Sequence, residues 1–401
     1  MEKPTRILVC GGGNGAHTLA GLASALKNVE VNVLTLYADE AQRWTNALGA
    51  DKIVIDVHYN DGTQGELSGK PRIITNDPGV AMENVEAIFF VVPAFAHMQY
   101  LDALAPHIKP NTIIIGMPGQ AGFEFQVLKH LNNSASLCAI ISLESLPWAC
   151  RILEFGRKVQ ILGFKDVLGA SVILGKGKYS LPPLEYAQIV MGEKPVLKAT
   201  HNYLAVNLMA KSIIHPPVLY GKWRNWDGVP LAEPPLFYQG VDEIQAEFLT
   251  KVGDEVLATA KAIQKQRSDL DMSEVISIYD WYKLYYHQQI SDSSSLQQCM
   301  RTNKAYNGLI HPMKKVDNGY VPDFAYRYTA EDIPYGLVVM KGIADCVGVK
   351  TPMMDEIIAW AQKKLGKEYI VGSELKGKDM NLTRAPQAFG FKTLDDLCNV
   401  L

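Results

Sequence analysis

The stretch that most limits how this chain can fold is Arg6-Ile7-Leu8-Val9-Cys10-Gly11-Gly12-Gly13-Asn14-Gly15-Ala16. An unbroken apolar run, Ile7 to Cys10, leads into a glycine cluster, and apolar residues then recur at Leu19, Leu22, Ala23 and Leu26. The run reads as a strand covered on both faces and the later spacing as an amphipathic helix, so the segment predicts strand, tight turn, helix. Gly11, Gly13 and Ala16 fall on the spacing G-x-G-x-x-G/A. Gly11 permits the turn, Gly13 lets backbone approach a pyrophosphate, and Ala16 lets helix and strand pack closely. The first N–H groups and the positive end of the helix then face the diphosphate. Gly11, Gly13, Asn14, Gly15 and Ala16 are therefore the expected dinucleotide contacts.

At 401 residues two domains are the default. A net charge of −3 gives no electrostatic case for nucleic acid or an anionic membrane. No apolar segment approaches the roughly 20 residues of a membrane helix, and a strand within about six residues of Met1 leaves no room for a signal peptide. The six cysteines are scattered, with no C-x-x-C pair. That pattern argues against a disulfide framework or a metal site and fits a reducing cytoplasm.

Val31 to Tyr37 predicts a second strand, with Asp39 and Glu40 just beyond it. An acidic residue there takes the ribose hydroxyls of NAD and repels the extra phosphate of NADP. Asp39 is that candidate, with Arg43 close enough to hold a phosphate instead; NAD is the favoured cofactor. Ile53 to Tyr59 alternates, Asn60-Asp61-Gly62 supplies turn chemistry, and Arg72 to Thr75 reads as the return of a β-hairpin insertion. Further buried strands are expected at Ala87–Val92, Thr112–Gly116 and Ser136–Ser142. Ligands in such sheets bind beyond the carboxyl ends of the strands. Pro93 and Ala94 are therefore expected beside the cofactor, and Gln120 beside substrate or nicotinamide. Cys150 has no neighbouring base and reads as a packed thiol.

After about residue 198 the texture turns helical. Residues 198–214 read as one helix stopped or kinked by Pro216-Pro217, with His215 at the break. Further helices are expected at Gln245–Gln264, Ser273–Gln289, Tyr335–Val347 and Met353–Leu365. The expected architecture is an N-terminal Rossmann-type doubly wound sheet with a β-hairpin insertion (1–198), followed by an all-helical domain (199–401). Hydride chemistry in such a protein calls for a proton donor, usually a histidine oriented by a carboxylate, and an arginine fork for a substrate carboxylate. Spacing alone does not choose among the nine histidines. Arg327 to Pro334 holds an arginine and two carboxylates, which also suits a helix start capped by Thr329 or Asp332.

Longer runs carry more. Cys-Gly-Gly-Gly-Asn-Gly-Ala-His-Thr-Leu (10–19), Val-Pro-Ala-Phe-Ala-His (92–97), Gln-Ala-Gly-Phe-Glu-Phe (120–125) and Leu-Pro-Trp-Ala-Cys-Arg (146–151) lie in the first half. Pro-Leu-Phe-Tyr-Gln-Gly (235–240), Asn303-Lys304, Gly-Leu-Ile-His-Pro (308–312), Arg327-Tyr328 and Glu-Asp-Ile-Pro (331–334) lie in the second. In these runs the chain resembles the opine dehydrogenases of the octopine dehydrogenase type found in marine invertebrates. The resemblance implies NADH on the Rossmann domain, substrates in a cleft before the helical domain, and reductive condensation of pyruvate with an amino acid. Such a reaction reoxidises NADH in anaerobic glycolysis.

The same resemblance implies that His215 is the acid/base, Asp332 its carboxylate partner and Arg327 the holder of a substrate carboxylate. Gln120, Ser145 and Cys150 fall in the stretches around pyruvate, and Glu144, Met209 and Trp281 where the amino acid is contacted. Ser145 replaces the threonine of octopine-type relatives, and Lys211 replaces an aromatic. One helical turn before His215, an ammonium at Lys211 repels the guanidinium of arginine and favours alanine, β-alanine, glycine or taurine; a lysine there also simply reaches solvent. A keto-acid or polyol-phosphate dehydrogenase of the same plan, and an NAD-binding regulatory protein without activity, stay open at this point. A monomer is expected.

Overall fold

The structure is a computed structural model and describes residues 5–399. The chain divides into two compact units, one running through Val206 and the other beginning at Asn207.

In the first unit the strands are β1 (Thr5–Cys10), β2 (Val29–Leu34), β3 (Ile53–His58), β4 (Gln64–Gly69), β5 (Ile73–Thr75), β6 (Ala87–Phe90), β7 (Ile113–Gly116), β8 (Ala139–Leu143), β9 (Trp148–Glu154), β10 (Lys158–Phe164), β11 (Val167–Leu174) and β12 (Val196–Ala199). Eight of them form one sheet in the order β12-β11-β8-β7-β6-β1-β2-β5. Every neighbouring pair is parallel except β8 with β11. Strands in a parallel sheet are covered on both faces, which is why their sequences are nearly continuous apolar runs. Ile7, Val9, Val33, Phe89, Ile115 and Ile141 are all fully buried in one core.

The hairpin insertion is part of a second sheet, in the order β4-β3-β10-β9. Its alternation is real, since Ile53, Ile55 and Val57 are buried while the residues between them are half-buried. The strand by which it returns is β4, paired with β3 from Ile53–Gly69 to His58–Gln64. Arg72 to Thr75 was expected in that place. Instead Ile73–Thr75 adds to the edge of the main sheet beside β2. A short apolar piece satisfies either sheet, and sequence spacing does not choose between them.

The second unit is built from helices, among them His215–Trp223, Glu243–Gln266, Ile278–Tyr286, Val338–Cys346 and Pro352–Leu365. The longest starts from a capping box formed by Asp242 and Gln245. A two-stranded hairpin, Met313–Val316 with Gly319–Pro322, is set among them. Among the described residues no helix is long and apolar enough to cross a membrane.

The single helix expected over 198–214 is broken up. Val196–Ala199 is strand β12, Tyr203–Leu208 is a short helix, and Ala210 is extended before a tight turn at Lys211–Ile213. Pro216 and Pro217 do not stop a helix but lie in the first turn of a new one that begins at His215. The first-turn N–H groups have no carbonyl partner within the helix, so proline is harmless there and its fixed φ favours the start.

Lys341 is a buried cation between two helices. Its ammonium lies 2.9 Å from Asp355 and 3.2 Å from Asp345, and Glu255 accepts the N–H groups of Met353 and Met354 at the adjoining helix start. Burial raises both Asp345 and Glu255 above the ordinary carboxylate range. Removing the ammonium leaves these acids facing one another. Lys341→Met is therefore expected to lower the unfolding free energy by about 3 kcal/mol, measured by urea denaturation at neutral pH.

Candidate active site

β1 ends at Cys10, and Gly11 turns the chain with φ near +115°, its N–H donating to the Leu34 carbonyl at 2.8 Å. A Cβ at Gly11 would lie 2.7 Å from the Val91 oxygen, so the turn and the close approach both require glycine. Gly13 is exposed at the N-cap of the Asn14–Ser24 helix, and no side chain caps that end. A Cβ on Gly13 would meet nothing within 4 Å. Bare backbone beside an uncapped helix start is what a diphosphate needs. Gly15 and Ala16 are buried under it, and the Asn14 side-chain oxygen accepts the Ile152 N–H of β9 at 2.9 Å.

Asp39 and Arg43, weighed as rival ligands, are paired with each other at 2.8 Å. Both are exposed, and Arg43 also lies over the Phe155 ring at 5.0 Å. The carboxylate pressed against the glycine turn is Glu40, which occupies the space a Gly12 side chain would need and accepts the Thr35 hydroxyl. Sequence spacing points to Asp39 rather than Glu40 for this place, and gives no signal for His17. Its Nε2 accepts the Gly156 N–H at 3.0 Å, its Nδ1–H is directed at the Gly13 carbonyl at 3.3 Å, and its ring stacks on Trp44 at 3.6 Å.

Beyond β6, Pro93 is exposed and Ala94 is buried at the start of the Ala94–Leu104 helix. Beyond β7, Gln120 is half-buried and adopts a left-handed backbone with φ near +61°. Non-glycine residues rarely sit there, and such conformations gather at functional sites. After β8, Glu144 is exposed with one oxygen accepting the Gly169 N–H at 3.2 Å, while Ser145 is buried. Cys150 is 2% exposed, and burial pushes its thiol above the ordinary range. It is not an activated nucleophile.

In the second unit a short contact joins residues 117 apart. His215 Nδ1–H donates to Asp332 Oδ2 at 2.6 Å, and both side chains are largely buried. Asp332 holds the cap position of the wide turn Ile333–Leu337 but caps nothing, because its carboxylate is turned to His215. Thr329 lies inside the short Arg327–Ala330 helix and is not a cap either. With Nδ1 carrying the proton, Nε2 is the acceptor, and the Tyr238 hydroxyl donates to it at 2.9 Å. The Tyr328 ring stacks on the imidazole at 3.8 Å and 16°, and Phe237 meets its edge at 5.8 Å. Neither tyrosine carries a spacing signal, though both lie in runs already noted, 235–240 and 327–328.

Arg327 is half-exposed and binds Glu331 at 3.0 Å, one turn along, while Asp332 serves His215. Trp281 is half-buried among Tyr282, Tyr285 and Tyr286, and Met209 is half-buried. Lys211 is exposed in its tight turn, so it does not share a helical face with His215 as expected; the extended Ala210 and the new helix at His215 break the periodicity. His311 is buried, accepts the Trp223 indole N–H at 3.1 Å, and is pushed down to about 3 by burial.

Burial likewise lowers His17 to about 4 from an ordinary value of 6.5. A base whose folded value is depressed is protonated first in the unfolded chain. Its contribution is therefore complete above pH 6.5 and is lost as pH falls toward 4, about 3 kcal/mol in all. Urea unfolding across that window should show stability falling with pH, and His17→Phe, which keeps the ring but takes no proton, should flatten the slope.

Residues 199–365 match the family described as NAD/NADP octopine/nopaline dehydrogenase, alpha-helical domain. The chain is 52% identical to an opine dehydrogenase of Haliotis discus hannai over 100% of both chains. It is 44% identical to a tauropine dehydrogenase of Arabella iricolor over 98% of this chain and 99% of that one. Octopine dehydrogenase solved with NADH and L-arginine superposes with a TM-score of 0.95 at 49% identity, covering 98% of this chain and 97% of that one. The same enzyme with NADH and pyruvate gives 0.92 at 47%, covering 98% of each. Identity at this level across both units, over a turn shaped for a dinucleotide and a buried histidine–carboxylate pair, places the chain in the opine dehydrogenase family, as an NADH-dependent oxidoreductase acting on CH–NH donors.

Proposed function

We propose that the chain joins pyruvate to a small amine-bearing acid such as alanine, β-alanine, glycine or taurine, in preference to arginine, with His215 as acid/base. The carrying observation is the 2.6 Å contact between His215 and Asp332. The carboxylate holds Nδ1–H and fixes the ring, which leaves Nε2, here bonded by the Tyr238 hydroxyl, as the nitrogen for substrate.

The chemistry needs a proton at one atom. The amine nitrogen attacks the keto carbon of pyruvate, and the former keto oxygen must leave as water. Hydroxide leaves poorly, so a proton delivered from Nε2 of charged His215 lets the carbon–oxygen bond break. When bound, NADH supplies hydride to the imine carbon. Arg327 offers a planar fork of donors to a substrate carboxylate. The uncapped helix at Gly13 and the acidic pair Asp39 and Glu40 suit the diphosphate and the ribose of NAD.

The amine preference rests on charge. Lys211 carries a positive charge where octopine-type relatives have an aromatic, in the turn that leads into the His215 helix, and a positive charge there disfavours a guanidinium partner and suits a carboxylate or sulfonate. That a relative matching nearly the whole chain is a tauropine dehydrogenase supports a small amine within this framework.

Two results are expected. His215→Asn should bind NADH as the wild type does, by fluorescence titration, while turnover with pyruvate and amine falls about 10²–10⁴-fold. In an amine panel read by NADH oxidation with pyruvate, small amines should exceed arginine, and Lys211→Tyr should raise the arginine-to-small-amine ratio; an unchanged ratio removes Lys211 from selection.

A further inference from the structure

Nε2 of His215 is the nitrogen left for substrate, and in this structure a phenol holds it. Tyr238 is 7% exposed, its hydroxyl lies 2.9 Å from Nε2, and its ring is stacked on Tyr306 at 3.9 Å and 15°. On the other face of the site, Tyr328 lies flat against the imidazole and is half-buried. A phenol donates to an imidazole that has lost its proton and accepts from one that has kept it. Tyr238 therefore has a role in both states of the ring.

Reductive condensation takes up one proton per turnover, and the proton that leaves His215 must be replaced although the side chain is largely buried. We propose that Tyr238 reloads Nε2 of His215. The proposal rests on the reading of His215 as acid/base. Once Nε2–H has gone to the departing oxygen, the Nε2 lone pair takes the Tyr238 hydroxyl proton. In the same step the Tyr238 oxygen takes a proton from hydronium or a buffer acid. The phenol loses one proton and gains one, and the net change is a solvent proton on Nε2. The transfers are concerted, since burial first and neighbouring tyrosines second hold Tyr238 far above the ordinary phenol range, and no free phenolate forms.

The test is Tyr238→Phe, which keeps the ring stack and removes only the hydroxyl. NADH affinity should match the wild type, kcat should fall about tenfold to a hundredfold, and imidazole buffer at fixed pH and ionic strength should restore it in a concentration-dependent way. The wild type should ignore the buffer. A variant with undiminished kcat overturns the relay, as does a lowered kcat that no buffer restores, since a ring merely misplaced is not repaired by a soluble acid. Should Tyr238→Phe fold poorly, the dependence of wild-type kcat on the deuterium fraction of the solvent carries the test: a curved dependence, two protons moving together, is expected, and a linear one overturns the relay. Wild-type turnover in His215→Asn instead overturns the acid/base reading beneath the proposal.

Discussion

The strands Thr5–Cys10, Ala87–Phe90, Ile113–Gly116 and Ala139–Leu143 are covered on both faces, and this confines polar chemistry to where they end. A polar group along such a strand has no water and few partners, and leaving it unpaired costs more than a packed apolar residue returns. The turn at Gly11, the helix start at Ala94, the left-handed Gln120 and the loop at Glu144 follow those ends in succession. Each is a place where backbone leaves the sheet and its N–H groups become available. The dinucleotide fingerprint is thus one case of a constraint that acts on each of these four strands.

The second unit has no such regular frame, and its histidine–carboxylate pair joins residues far apart in sequence. Asp332 lies at a helix start, where a carboxylate would ordinarily cap the backbone, and it gives its oxygen to His215 instead. That exchange is possible because Pro334 lies in the first turn and lacks one of the N–H groups needing an acceptor. On the other side, His215 is the first residue of a helix whose next two residues are prolines. Two proline-marked helix starts therefore meet through their side chains. The prolines fix the backbone on both sides of the hydrogen bond, which limits the freedom its partners lose in forming it.

Much of the first unit was legible because period and composition are local. The apolar runs, the glycine spacing and the alternation at Ile53–Val57 each follow from burial of neighbouring residues. What failed was also local in kind. Arg72 to Thr75 is too short to declare its sheet, and the apolar spacing over 198–214 mimics a helix although Ala210 is extended. The pairing of His215 with Asp332 was beyond any spacing argument and entered only through resemblance, because 117 residues separate the partners. Tyr238, Tyr328, His17 and Glu40 were missed for a related reason. An aromatic in an apolar neighbourhood looks like packing, and a carboxylate after a strand looks like a helix start, until the partner across the fold is known.

The aromatic surroundings of His215 can then be read as more than filler. A histidine that alternates between neutral and charged forms strains an apolar pocket in one state and a highly charged pocket in the other. Phenols avoid both extremes. Tyr238 offers an oxygen that donates or accepts as the ring requires, and Tyr328 covers a ring face with a π surface that tolerates a cation. Asp332 supplies a fixed charge in contact with the ring. On the acid/base reading proposed above, the carboxylate is hydrogen-bonded through Nδ1–H whether the ring is neutral or charged, and the phenols meet the other nitrogen and the ring face in either state.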